Sequence, residues 1–276
     1  MTGCCLGRDD FDYLAQWLRQ RTGLRLDGLP PEFVSNRLAL VSRRFGFHSF
    51  AALIDDLHLP DAGPGLSSAV LEAFVVSDTA FFRDAEVFWA LRDQTLPGLI
   101  AKRASDKILR IWSAACAGGQ EVYSIAMLLA DLGLIAAGWH IELMASDLSA
   151  PAVEQASAGL YSGAEIERGL TPRHLKKYFD ETEDGWQVHA DLRGLVTFRI
   201  FNLCDGFDWL GRLDIVFCRH VLMYFDLPCR CDVLAKIAGQ MAPDGVLVTG
   251  STEMVPPMTG FHSICRSAPG VYARRG

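Results

Sequence analysis

The chain has 276 residues, half of them hydrophobic, with 26 Lys and Arg against 33 Asp and Glu and a net charge of −7. That balance argues against nonspecific nucleic-acid binding, which relies on basic side chains to neutralise phosphates. The length predicts one large domain plus a smaller one, and no apolar run reaches the ~20 residues that cross a bilayer.

The opening "MTGCCLGRDDFDYLAQW" lacks the basic start and apolar block of a secretory signal, so the chain reads as cytoplasmic. Residues 10 to about 58 read as helices. Phe11, Leu14, Trp17 and Leu18 recur at helical spacing before Gly23, and Val34, Leu38 and Val41 form a second stripe that stops at Gly46. Ser49 predicts the cap of a third helix. A turn-rich "PDAGPGLSS" follows, then helix in "SSAVLEAFVVS" and in "AEVFWALRDQTLPGLIAKRA". From residue 108 strands and helices alternate: "LRIWSA", "WHIELMASD", "VTFRIFNL", "LDIVFCRH", "GVLVTGS" and "GVYAR" read as strands, with helices in "QEVYSIAMLLADLG", "SAPAVEQASAGLY" and "PCRCDVLAKIAGQM". Residues 163–195 are more polar and broken, with a hairpin expected around "DGWQVHADL". The alternation predicts parallel βαβ units, whose ligands sit outside the carboxyl ends of the strands.

Cysteines occur at positions 4, 5, 116, 204, 218, 229, 231 and 265. None forms a C-x-x-C pair and no Cys/His group has zinc spacing, so they read as reduced, structural thiols and no metal is expected. Cys229 and Cys231 are the pair most open to oxidation.

Chemistry-bearing residues gather at the expected strand ends. "WSAACAGGQEVYS" leaves the first strand through small residues and enters a helix with Glu121 in its first turn. Glycines there let a ligand approach the backbone or let the turn pack tightly. The stretch is neither G-x-G-x-x-G nor a Gly-Lys-Ser/Thr loop, and the acidic Glu121 disfavours a phosphate. Asp147 ends the second strand, placed either to hold ribose hydroxyls or to cap the next helix. Asn202 follows the third strand, and Arg219, His220 and Tyr224 follow the fourth. Upstream, "SDTAFFRD" places Thr79 and Arg83 around the apolar Phe81 and Phe82; they face the crevice, or else Asp78 or Thr79 caps a helix and Arg83 is solvated.

These strings resemble the CheR family of chemotaxis receptor glutamate methyltransferases over nearly the whole chain. The pieces that carry the resemblance are "VVSDTAFFRD", "IWSAACAGGQEVYSIAMLLAD", "ASDLSAPAVEQASAGLY", "LTPRHLKKYFD", "FRIFNL", "DIVFCRHVLMYFD" and "MAPDGVLVTGSTEMV". The resemblance implies an α/β class I S-adenosylmethionine-dependent methyltransferase. Its Rossmann-like sheet forms a catalytic domain over 76–276, preceded by an all-helical, receptor-facing domain over 1–75 and interrupted by a small antiparallel β subdomain near 160–195. It also implies that Thr79 and Arg83 reach the active site, that Glu121 and Asp147 hold S-adenosylmethionine and its product S-adenosylhomocysteine, that Asn202 and Leu203 border the adenine, and that Tyr224 lies close to the transferred methyl. Two departures stand out: His220 occupies a position that is usually Asn, and Gln120 one that is often Glu. An Asn offers a donor and an acceptor together, whereas a neutral His offers them on different ring edges. His220 is kept as a cofactor-site residue.

The implied reaction is in-line methyl transfer from a sulfonium to a glutamate carboxylate of the cytoplasmic domain of methyl-accepting chemotaxis receptors. A glutamate has a reference pKa of ~4.3, so the nucleophile is ionised at neutral pH and needs no general base. Arg83 would then position the carboxylate and Tyr224 orient it. Residues 18–44 hold six arginines, Arg19, Arg21, Arg25, Arg37, Arg43 and Arg44, against Asp27 and Glu32, a local balance of +4. Such a face suits a glutamate-rich receptor helix. The protein is expected to be a monomer that inserts in no membrane and binds no nucleic acid. Two other readings stay open on the residues: a class I methyltransferase for another protein or a small molecule, and a cofactor-binding regulatory module without catalysis, to which His220 points.

Overall fold

The computed structural model describes residues 6–26, 28–59, 64–265 and 269–274. Cys4, Cys5, Asp27 and residues 60–63 of the turn-rich segment lie outside them. The chain divides into two compact units, Met1–Val76 with Tyr224–Cys229, and Ser77–Met223 with Arg230–Gly276.

The first unit holds helices α1 (Arg8–Thr22), α2 (Pro31–Phe45), α3 (Phe50–His58) and α4 (Pro64–Phe74). α1 and α2 end at Gly23 and Gly46, both in the left-handed region at φ 71° and 77°, which a Cβ would oppose. The Ser49 hydroxyl accepts the Ala52 N–H at the start of α3. The apolar stripes converge as the spacing requires: Leu14, Trp17, Leu18, Val34, Leu38 and Val41 are buried with Leu53, Ile54 and Leu57 of α3. The segment 224–229 joins this unit through an antiparallel bridge between Leu24 and Phe225, the Arg25 N–H donated to the Tyr224 carbonyl, and an Arg19–Asp226 ion pair.

The second unit begins with α5 (Ala85–Ala90), a π-helical turn (Leu91–Thr95) and α6 (Leu96–Lys102) where the sequence pattern suggests one helix. Pro97, near the start of α6, lacks the N–H that would continue an α-helical ladder, and the chain widens just before it. Then follow β1 (Ile108–Ala114), α7 (Gln120–Asp131), β2 (His140–Asp147), α8 (Ala150–Ala158), β3 (Leu160–Tyr161), α9 (Gly163–Glu167), α10 (Pro172–Tyr178), β4 (Phe179–Thr182), β5 (Gly185–Val188), α11 (Ala190–Arg193), β6 (Val196–Ile200), β7 (Leu213–Cys218), α12 (Leu227–Gln240), β8 (Met241–Val248), β9 (Phe261–Ser263) and β10 (Val271–Arg274).

Seven strands form one sheet in the order β6-β2-β1-β7-β8-β10-β9; the first five are parallel and β10 runs antiparallel to both its neighbours. This is the expected class I arrangement, and its strand order reverses between β1 and β7, where such sheets bind ligands. β7 is buried along its whole length, as an apolar central parallel strand should be. The inserted β3-β5-β4 sheet is antiparallel, with β4 and β5 as the anticipated hairpin. β9, a three-residue strand with no apolar alternation, escapes a sequence reading.

At the amino ends of the strands Arg103 clips the sheet together. Its Nε donates to Asp214 Oδ1 at 3.0 Å and its Nη2 to Asp244 Oδ1 at 2.7 Å, which holds the Asp244 carboxyl down to about 2. Among the described residues, no helix is long and apolar enough to cross a membrane.

Candidate functional site

The site grows from the carboxyl ends of β1, β2, β6 and β7 and from the segment 77–84. Six non-glycine residues among those described have positive φ, and five of them lie here: Phe82, Asp84, Ala115, Ala117 and His220, at 47–61°. Side chains with a Cβ occupy that region at a cost, and such strain concentrates where surrounding structure fixes a functional geometry.

The glycine loop answers the question that its sequence left open. A Cβ at Gly119, where φ is 91°, would stand 2.8 Å from Ala156 Cβ and 2.9 Å from the Tyr161 hydroxyl. A Cβ at Gly118 would meet Gln120 Oε1 at 2.9 Å. These glycines therefore admit α8 and the inserted subdomain, which is the tight-packing alternative. The Tyr161 hydroxyl donates to the Gly118 carbonyl at 2.8 Å, and Gln120 Nε2 donates to Glu165 Oε1 at 3.1 Å.

Asp147 is 5% exposed at the end of β2. Its Oδ2 accepts the Ala117 N–H and its Oδ1 the Ser149 N–H, each at 2.9 Å. Burial pushes its carboxyl up, and these backbone donors oppose the shift. The cap of α8 is Ser149, whose hydroxyl accepts from Ala152, so Asp147 is not the helix cap. The Phe201 N–H donates to the Asp147 carbonyl at 2.8 Å, which brings the next two residues, Asn202 and the buried Leu203, beside β2. Asn202 Oδ1 accepts the Cys204 N–H at 3.0 Å and stiffens that turn.

Glu121 sits in the first turn of α7 with its Oε1 accepting from the Ser113 hydroxyl at 2.7 Å and its Oε2 from Arg219 Nη1 at 3.0 Å. Arg219 Nη2 reaches across to Asp84 Oδ2 at 2.7 Å and to the Arg83 carbonyl at 2.8 Å. The His220 ring lies against Asp84 as well, Nε2 to Oδ2 at 3.1 Å. Burial and the positive charges of Arg219 and Arg83 lower the His220 pKa, outweighing Asp84 and Glu253. The tautomer assigned from the Asp84 contact carries its proton on Nε2.

Segment 77–84 is not the start of a helix; helix begins at Ala85, with Asp84 at the cap position. Phe81 is core, whereas Phe82 is half-buried with its ring stacked on His174. Arg83 is 34% exposed along its side chain and donates Nη1 to the Asp78 carbonyl at 2.8 Å. Arg168 of the inserted segment holds the Asp78 carboxylate at 2.9 Å. Thr79 is half-buried, and among the described residues no hydrogen bond engages its hydroxyl.

The structure thus links Arg83, Glu121 and His220 through Arg219, and ties Asp147 to the glycine loop and to Asn202. Tyr224 packs within the first unit. Sequence reasoning left out three residues: Asp84, Arg219 as an organiser, and Glu253, whose buried carboxylate accepts the N–H groups of His220, Gly250 and Met223 at 2.6, 2.8 and 3.2 Å. One signal existed for Arg219: an arginine directly after an apolar buried strand requires a carboxylate partner.

The donor set fits the sulfonium nucleoside that the sequence pattern implies. Carboxylate oxygens stand at the ends of β1 and β2, and residues 112–121 contain no Lys or Arg to attract a phosphate. The family model described as CheR methyltransferase, SAM binding domain, matches residues 77–270. The chain is 34% identical to Chemotaxis protein methyltransferase 1 of Pseudomonas aeruginosa, over 96% of this chain and 97% of that one. It is 33% identical to Chemotaxis protein methyltransferase Cher2 of Pseudomonas putida, with the same coverage. A third relative, Chemotaxis protein methyltransferase of Vibrio parahaemolyticus, is 31% identical over 98% of each chain. With these matches added to its sheet order and rim, the chain belongs to the CheR family of S-adenosylmethionine-dependent chemotaxis methyltransferases.

Proposed function

We propose that the protein methylates glutamate side chains in the cytoplasmic domain of chemotaxis receptors, forming methyl esters. S-adenosylmethionine, the cofactor of this family, supplies a methyl activated on a sulfonium. In this reading Asp147 holds the ribose hydroxyls, Glu121 faces the cationic end, and Asn202 with Leu203 borders the base. Thr79 and His220 complete the walls.

The observation that carries the choice of a carboxylate substrate is Arg83. Its guanidinium is partly exposed, one donor engaged by the Asp78 carbonyl and only Asp78 paired with it among the described residues. A planar fork of this kind binds a carboxylate through two parallel hydrogen bonds. A glutamate is already ionised at neutral pH, so the site need not remove a proton. Its work is to hold an oxygen in line with the methyl and to exclude water, which would otherwise stabilise the separated charges.

The test is transfer of a radiolabelled methyl to purified receptor cytoplasmic fragments. Label released as methanol in mild base marks an ester. Binding of S-adenosylhomocysteine with no label on any receptor fragment would overturn the reading.

A further inference from the structure

We propose that Arg219 is a positioning residue that sets the distance between the cofactor loop and the substrate-binding Arg83, with Asp84 as its anchor. The inference deepens the proposed function and rests on its assignment of Arg83 to the substrate carboxylate.

The Arg219 side chain is 2% exposed, so its charge has almost no water and must be satisfied by the protein. It bridges three segments far apart in sequence. Nη1 donates to Glu121 on α7, Nη2 donates to both the Asp84 carboxylate and the Arg83 carbonyl, and the residue itself directly follows β7. The ring of Phe88 lies under the guanidinium at 5.7 Å. A planar group with fixed donor directions transmits position more rigidly than an ammonium on a flexible stem. The bond to the Arg83 carbonyl matters most, because it fixes the backbone of the residue whose side chain meets the substrate. Asp84 holds that arrangement from the next position at φ 55°, a conformation that its neighbours must enforce. Among the described residues Arg219 Nε has no partner although it is buried, so the guanidinium is oriented by its two other nitrogens rather than by full satisfaction.

Arg219 and Asp84 therefore act on methyl transfer through Arg83. A double-mutant cycle on kcat with Asp84→Asn and Arg83→Ala tests this. Asp84→Asn should lower kcat about 10- to 100-fold, with the Kd for S-adenosylhomocysteine, measured by calorimetry, held within about twofold because Asp84 is not among the residues assigned to hold the cofactor. In the Asp84→Asn background, Arg83→Ala should cost no more than about threefold further, since a misplaced Arg83 has little left to lose. Full additivity of the two losses would overturn the proposal and leave Asp84 a purely structural residue. Arg219→Lys is the second variant, needed if Asp84→Asn lowers the melting temperature enough to obscure the kinetics. It keeps the charge but not the fork, and the same non-additivity with Arg83→Ala is expected; additivity there overturns the proposal equally. Undiminished activity in Arg83→Ala alone would instead defeat the assignment of Arg83 to the substrate, and the two failures are distinguishable.

Discussion

At the scale of single residues the site is a balance of buried and half-buried charges, with the cation of Arg83 partly in solvent. Arg219 is neutralised by Glu121 and Asp84, while Arg83 keeps a third of its side chain in solvent. Replacing Arg83 with Ala should therefore lower kcat/KM for receptor methylation about 100-fold while calorimetry shows little change in cofactor affinity. His220 adds a pH dependence. Its folded pKa is below the ordinary 6.5, through burial and the positive Arg219 and Arg83, with Asp84 and Glu253 opposing. The unfolded chain thus takes up the proton first as pH falls. The stability associated with neutral His220 is complete above about pH 6.5 and is lost as the pH drops below it. His220→Asn removes that titration, so its melting temperature should fall less than the parent's between about pH 7.5 and 5.5. Parallel melting curves across that range would show that the ring protonates without cost.

At the scale of elements the glycine loop is set by what packs against it. Gly119→Ala would place a Cβ at φ 91° and within 3.0 Å of three atoms, including the α8 backbone at Ala156. Its destabilisation should be about 3 kcal/mol, strain and overpacking together. Gly133→Ala is the control: φ is 74° but no atom of the described residues lies within 4 Å of the added methyl, so strain alone should cost about 1 kcal/mol. Chemical denaturation of the two variants measures the difference. This pair also marks how far the sequence could be read. The βαβ alternation, the stripes of α1 and α2 and the Ser49 cap depend on neighbours in the chain, and all were legible. What crowds Gly119 is Ala156 and Tyr161, and what balances Arg219 is Asp84 and Glu121, partners 135 and 98 residues away. Periodicity carries no information on such pairs; only the family strings placed "FFRD", "GGQE" and "CRH" together, without saying that one guanidinium joins them.

At the scale of the whole molecule the net charge of −7 hides a local excess of the opposite sign. On α2, Val34, Leu38 and Val41 face the core, and Arg37, Leu40 and Arg44 recur at i, i+3 and i+7 on the other side. Leu40 is 59% exposed and Arg43 and Arg44 are exposed beside it. An apolar residue framed by arginines suits an amphipathic, acidic helix, the chemistry expected of a receptor segment rich in glutamates. Because this face belongs to the first unit and the cofactor loops to the second, the two functions should separate by mutation. Reversing Arg37, Arg43 and Arg44 to Glu should slow receptor methylation about 10-fold or more at low salt. The parent's rate should fall as salt rises, and the variant's should not, because screening acts on an attraction that the variant lacks. Affinity for S-adenosylhomocysteine should stay at the parental value. A variant that keeps the parental salt dependence would move the receptor contact to some other surface of the protein.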